Sequence, residues 1–234
     1  MSAMKKPKIL VLLKLDEKAA FVLQSAKELS QKLNGKLYIL HVKAPGEAIK
    51  RENQLSAKKE LYEDQRAMQK QLDELLKEVG LPKSYDFRYG NIKNVALETI
   101  DAVKPQVIIM GKRNPKLLGL LGDSLIDTVL KNPSASVYLV NAHKAVKAAK
   151  KPTVGVFNGG QNSDYGMFKG IVENDTHEIK YLSIDKKAAN TPTDSQNHFV
   201  FTANANALKH LVAFASKMDT QLFCVPKGMD ENFP

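Results

Sequence analysis

Short apolar runs alternate with amphipathic stretches over the first 140 residues of the chain. Lys8 to Leu13 (KILVLL) is apolar after its first residue, the mark of a strand buried on both faces. Val22, Ala26, Leu29 and Leu33 then recur at helical spacing, and Asn34-Gly35 supplies the usual stop. Lys36 to Val42 is a second strand, broken by Ala44-Pro45-Gly46. Residues 47–79 are polar and charged. Met68, Leu72, Leu75, Leu76 and Val79 form an apolar stripe late in that segment, which predicts a long helix led in by a polar stretch around 47–56. Gly80-Leu81-Pro82 ends it. Ser84 to Tyr89 is a third strand; Ile92, Val95, Ala96, Ile100 and Val103 share one face of a helix, closed by Lys104-Pro105. Val107 to Met110 is a fourth strand. Gly111 then turns the chain into a basic loop, Lys112 to Lys116, and Asp123 or Ser124 caps a helix from Leu125 to Lys131. After Asn132-Pro133, Val137 to Val140 is a fifth strand. Strand–helix–strand repetition of this kind predicts right-handed parallel crossovers and an α/β domain.

The remaining chain repeats part of this order. Residues 143–151 (HKAVKAAKK) read as a basic linker, and Thr153 to Phe157 as a strand followed by an Asn-Gly-Gly loop. Ser163 or Asp164 is placed to cap a helix, Glu178 to Ile184 is a strand, and 185–197 is a polar loop. From His198 on, a strand, a small-residue turn, an amphipathic helix with Leu208, Leu211, Val212 and Ala215, and the apolar LFCV strand follow the pattern seen from Tyr85 to Lys112. The expected domains are therefore 1–142, complete, and 152–234, a shortened copy without the basic loop, last helix and last strand.

Composition narrows the class. The chain has 234 residues, 43% hydrophobic, with one Cys, so no disulfide framework forms within it. No apolar run reaches membrane-spanning length. Lys5, Lys6 and Lys8 before ILVLL hint at a signal peptide, but Lys14 interrupts the run and no small-residue cleavage site follows; a cytoplasmic protein is expected. The net charge of +10 is uneven. Residues 1–160 hold 28 Lys and Arg against 16 Asp and Glu, and residues 161–234 hold 7 against 9. The lysines are scattered and no aromatic residues interleave with them, so a solvated surface is expected rather than a nucleic-acid face.

The run from Phe87-Arg88-Tyr89-Gly90 through VIIMGKR to VYLV resembles the universal stress proteins. The resemblance implies a doubly wound, Rossmann-like sheet of five parallel strands in the order 3-2-1-4-5. In the family's nucleotide-binding branch a G-x-x-G-x(9)-G-[ST] loop holds the phosphates of ATP or AMP. Gly111 matches the first glycine and Asn114 stands at the second. The spacing is one residue shorter, and Asp123-Ser124 replaces Gly-Ser ahead of Leu125. Lys112 and Arg113 add positive charge. An aspartate at the end of strand one contacts the nucleoside in those relatives; the aligned residue here is Lys14, with Asp16 two residues on. Val42 matches a residue whose backbone reads the adenine edge. The expected nucleotide candidates are thus Lys14, Asp16, Val42, Gly111, Lys112, Arg113, Asn114, Ser124 and Leu125.

No catalytic or metal constellation accompanies them. The five histidines (41, 143, 177, 198 and 210) do not pair at ligand spacing, His41 reads as a hydrogen-bonded structural residue, and Cys224 as a small hydrophobe. G-x-x-x-x-G-K-[ST] is absent. The altered loop points to the family's other branch, which works as a dimeric stress factor without ATP. The expected function is a non-catalytic stress-response protein acting through protein contacts, with weak or no ATP binding; the alternative is an ATP- or AMP-binding sensor using Gly111–Ser124. Weak ATPase activity would require an intact nucleotide site. Family dimers pair through their last strand, here Val137–Val140. Either self-association or an intramolecular pseudo-dimer with the shortened copy is expected, with no membrane partner.

Overall fold

A computed structural model describes residues 6–44, 54–111, 125–130, 135–140, 153–157, 178–185, 197–202, 210, 214 and 222–225. The chain divides into two compact units, Met1–Pro105 and Gln106–Pro234.

In the first unit, β1 (Lys8–Leu13), β2 (Lys36–Lys43) and β3 (Asp86–Tyr89) are parallel, in the order β3-β2-β1. The register sets Leu13 opposite His41, and His41 opposite Phe87. Ile9 to Leu13 are all buried, as a continuous apolar run requires. Helix α1 (Ala19–Lys32) packs on β1 and β2 and against α2 (Gln54–Val79); α3 (Ile92–Val103) also packs on β1 and β2.

The C-terminal ends of α1 and α2 and the N-terminal end of α3 have local chemical causes. Asn34 takes the left-handed conformation (φ 49°) after α1, and the N–H groups of Asn34 and Gly35 donate back to Gln31 and Ser30. Gly80 (φ 70°) and Leu81 close α2 the same way, onto Lys77 and Leu76. Two lysines then cover helix C-termini, where free carbonyls and the helix dipole favour a cation. The Lys27 Nζ donates to the Val79 carbonyl at 2.7 Å, joining α1 to α2, and the Lys8 Nζ donates to the Val103 carbonyl at 2.7 Å. Asn91 caps α3 by accepting from the N–H groups of Lys93 and Asn94.

Of the apolar stripe expected in α2, Leu72, Leu76 and Val79 are buried, while Met68 and Leu75 are half-buried. The third strand starts at Asp86, two residues later than expected. Ser84 N–H is turned back to the Pro82 carbonyl, and the Tyr85 hydroxyl reaches across to Asp73 of α2.

The second unit contains β4 (Val107–Gly111), α4 (Leu125–Leu130), β5 (Ser136–Val140), β6 (Thr153–Phe157), β7 (Glu178–Asp185), β8 (His198–Thr202) and β9 (Leu222–Val225). Its strand order is β4-β5-β9-β6-β7-β8. β4 and β5 are parallel, and so are β9 with β6, β6 with β7, and β7 with β8. Among the described residues, β5 and β9 pair antiparallel. All five residues of β5 are buried. The expected order 3-2-1-4-5 is therefore present as two runs, 3-2-1 in the first unit and 4-5 in the second. The expected linker at 143–151, the helix after Ser163, and the caps Asp123 and Ser124 lie outside the described residues. Of the helix expected after Thr202, His210 and Phe214 are helical, and Phe214 packs against Phe199 and Phe201 of β8 at ring distances of 4.9 and 5.2 Å.

Candidate functional site

In open α/β sheets, ligands gather beyond the carboxyl ends of the strands. In the first unit that end begins with the turn from β1 into α1. Asp16 organises it. One carboxylate oxygen accepts the Lys18 N–H at 3.0 Å, and the other lies 3.1 Å from the Lys14 ammonium. The Asp16 backbone N–H donates to the Lys14 carbonyl, and its carbonyl accepts from Ala19, which starts α1. The structure thus brings the candidates Lys14 and Asp16 together, but as partners of each other. Lys14 is 63% exposed and Asp16 23%, so the ion pair itself contributes at most about 1 kcal/mol. Each oxygen of the carboxylate thus has one of these partners.

The end of β2 carries His41, Val42 and Lys43. His41 is buried, and its Nδ1–H donates to the Leu13 carbonyl at 2.9 Å, which fixes the tautomer. Burial pushes its pKa below the usual histidine value; the Lys43 charge adds to that, and the bond to Leu13 opposes it. The imidazole packs tilted against Phe87 at 5.5 Å, and Phe87 meets Tyr89 edge-on at 5.0 Å. This is the structural histidine expected from the sequence. Val42 sits opposite Arg88 of β3.

A third cluster is one that sequence reasoning did not pick out. The Lys43 ammonium donates to both oxygens of Asp64, one at 2.7 Å, and the Tyr89 hydroxyl donates to Asp64 at 2.9 Å. The Lys43 hydrogen bond, more than any other cause, holds the Asp64 carboxyl below its ordinary value. Burial first, then the bond and charge of Asp64, push the Tyr89 hydroxyl up to about 12. A parallel arrangement lies at the other end of β3: Lys83 donates to Asp73 at 2.9 Å and Tyr85 donates to Asp73 at 3.2 Å. The signal for both was in the spacing. Asp64 and Asp73 are nine residues apart on a helix, about 13.5 Å, and Tyr85 and Tyr89 are four apart in extended chain, about 13 Å. Helix and strand therefore match when laid antiparallel.

In the second unit, Gly111 ends β4 opposite Val140, and Leu125, half-buried, opens α4. Lys112, Arg113, Asn114 and Ser124 lie outside the described residues. No group of three or more His, Cys, Asp or Glu among the described residues is placed to hold a metal ion. No helix among them is long and apolar enough to cross a membrane.

The model of the universal stress protein family matches residues 7–141. The chain belongs to the universal stress protein family. Among solved structures, a universal stress protein from Archaeoglobus fulgidus is similar over 96% of this chain and 97% of its own, at 14% identity and a TM-score of 0.59. A putative universal stress protein from Pseudomonas aeruginosa is similar over 96% of this chain and 94% of its own, at 14% identity and a TM-score of 0.51. These likenesses show the fold: the Rossmann-like α/β class expected from the sequence. A universal stress protein solved in complex with cAMP is similar over 59% of this chain, at 16% identity and a TM-score of 0.42. No curated protein matches the sequence.

The family also implies a nucleotide, and the β1 turn tests the fit. Where the resemblance places a carboxylate in nucleotide-binding universal stress proteins, this chain has Lys14, paired with Asp16.

Proposed function

We propose that this universal stress protein is a non-catalytic stress-response or signalling protein that acts through protein contacts, with weak or no ATP binding. We further propose that residues 152–234 are a second, shortened copy of the fold, joined to the first, 1–142, by the basic linker 143–151. The observation that carries the first reading is the Lys14–Asp16 pair in the turn after β1. A cation stands where a hydroxyl-reading acceptor is needed, and freeing Asp16 would cost it two partners. The strand order β8-β7-β6 supports the second reading, because it repeats β3-β2-β1 in order and direction. The arrangement is suited to a scaffold whose surfaces, not a reaction centre, do the work.

An adenine-nucleotide sensor is the second reading. Gly111 at the end of β4, with Lys112, Arg113, Asn114 and Ser124 beyond it in sequence, favours it. Calorimetric titration of the purified chain with ATP and with AMP separates the two. The proposed function gives no saturable heat at physiological nucleotide concentration. Saturable binding that is weakened by changing Lys112 and Arg113 to Ala would establish the sensor instead.

A further inference from the structure

The outer side of α2 differs in kind from its clamped inner side. Asp64 turns inward to Lys43 and Tyr89, and Leu72 and Leu76 are buried, which fixes the rotation of the helix on the first unit. Lys58, Tyr62 and Arg66 stand four residues apart, and all three are exposed. Four residues make slightly more than one helical turn, so the three lie along one face and span about 12 Å. Among the described residues, Tyr62 is the one large hydrophobic side chain left in solvent, at 64% exposure. The charges around it are unevenly matched. Lys59 lies 3.9 Å from Glu63, and Lys70 lies 4.0 Å from Glu74 on the same helix. Lys58 and Arg66, one on either side of Tyr62, have no acidic partner among the described residues.

We infer that Lys58, Tyr62 and Arg66 form a docking surface for an acidic segment of a partner protein. The inference rests on the reading that the chain acts through protein contacts, and it names the face that makes them. Tyrosine and arginine are enriched among the residues that carry binding energy at interfaces. Tyr62 supplies a large, rigid apolar centre with a polar tip. Arg66 can hold a carboxylate with two parallel N–H bonds, and Lys58 attracts a second one from the other side. A nucleic-acid strand is a poorer match. It needs a longer cationic track with several stacking rings, whereas this stripe has one ring, and the next lysines, Lys59 and Lys70, are matched by Glu63 and Glu74. In sequence the three residues are separated by Glu, Asp and Gln, so their charge reads as scattered; the winding of the helix collects it on one face.

A random copolymer of glutamate and tyrosine is the probe, titrated into the full chain at low salt, with polyuridylate of matched charge as comparator. The copolymer is expected to bind saturably and to shift the backbone amide NMR resonances of residues 58–70 more than those of any other segment. Tyr62→Ala and Arg66→Glu should each weaken binding about tenfold. Both side chains are exposed, so both variants should keep the wild-type urea midpoint. Lys32→Glu, at an exposed position on α1, reverses the same charge elsewhere and should leave binding unchanged. Four results overturn the inference. No saturable binding removes the surface. An equal loss in Lys32→Glu, with shifts spread over the whole chain, means that net charge alone attracts the copolymer. Polyuridylate bound as tightly at the same residues makes this a polyanion site. Self-association in sedimentation that Tyr62→Ala abolishes makes a second copy the occupant. No mononucleotide enters the measurement, so its failure is distinct from a failure of the proposed function, which calorimetry with ATP and AMP decides.

Discussion

Tyr89, the last residue of β3, donates its hydroxyl to Asp64 of α2 at 2.9 Å, although 25 residues separate them in sequence. With Lys43 on the same carboxylate, this contact fastens the first half of the long helix to the carboxyl end of the sheet. From Lys58 to Gln71 no residue of α2 is fully buried.

Tyr89→Phe should therefore destabilise the protein by about 0.5–1.5 kcal/mol, the usual net value of one hydrogen bond, read by urea denaturation. The substitution should also remove the tyrosine that ionises at about 12 from an absorbance titration. Because that pKa is raised on folding, the contribution is complete below pH 10 and is lost as pH rises toward 12.

Acid acts on the same cluster from the other side. Asp64 and Asp73 both have carboxyls held below the ordinary value by hydrogen bonds from Lys43 and Lys83. Their stabilisation is present above about pH 4 and falls away as pH drops below it. Asp64→Asn should flatten this part of the stability–pH curve, measured as the urea midpoint from pH 5 downward.

His41 sets a separate, milder acid step. Burial lowers its pKa, so the folded state holds it neutral while the unfolded chain takes up a proton near pH 6.5. Stability should be full above pH 6.5 and decline as pH falls from there toward the lowered folded value. His41→Asn keeps an N–H donor for the Leu13 carbonyl but cannot titrate. It should abolish this decline while leaving the step below pH 4 intact.

Gly90, whose N–H donates to the Lys43 carbonyl, leads from β3 into α3 at φ 154°. A Cβ there would meet Val95 Cγ2 at 2.9 Å. Gly90→Ala should cost about 1–3 kcal/mol, from a backbone conformation that disfavours a side chain together with the crowding against Val95; thermal denaturation of the variant checks this.

Much of the fold could be read from the chain because its signals are local. The continuous run Lys8–Leu13 is the observed β1, residue for residue, and Asn34, Gly80 and Lys104-Pro105 end helices where their backbone chemistry says they should. The start of β3 was misread because Tyr85 has strand propensity, yet its hydroxyl bonds Asp73 on another element, which no local pattern reports. The site was legible only in part. Lys14 and Asp16 stood out as candidates, but their mutual pairing depends on turn geometry. The Lys43–Asp64–Tyr89 cluster draws on three elements and was visible only as a match between helical and extended rises. Likewise LFCV is equally apolar whether it lies at an edge or inside a sheet, so its antiparallel place against β5 had to come from the structure.

The most direct test of the central claim is to release whatever small molecule the freshly purified protein carries, by heating, and to identify it by mass spectrometry. A universal stress protein with Lys14 where nucleotide-binding relatives carry a carboxylate should release no ATP or AMP above the level of a heat-treated control protein. Stoichiometric ATP or AMP in the extract would contradict the account and assign the Gly111–Ser124 loop a working nucleotide site.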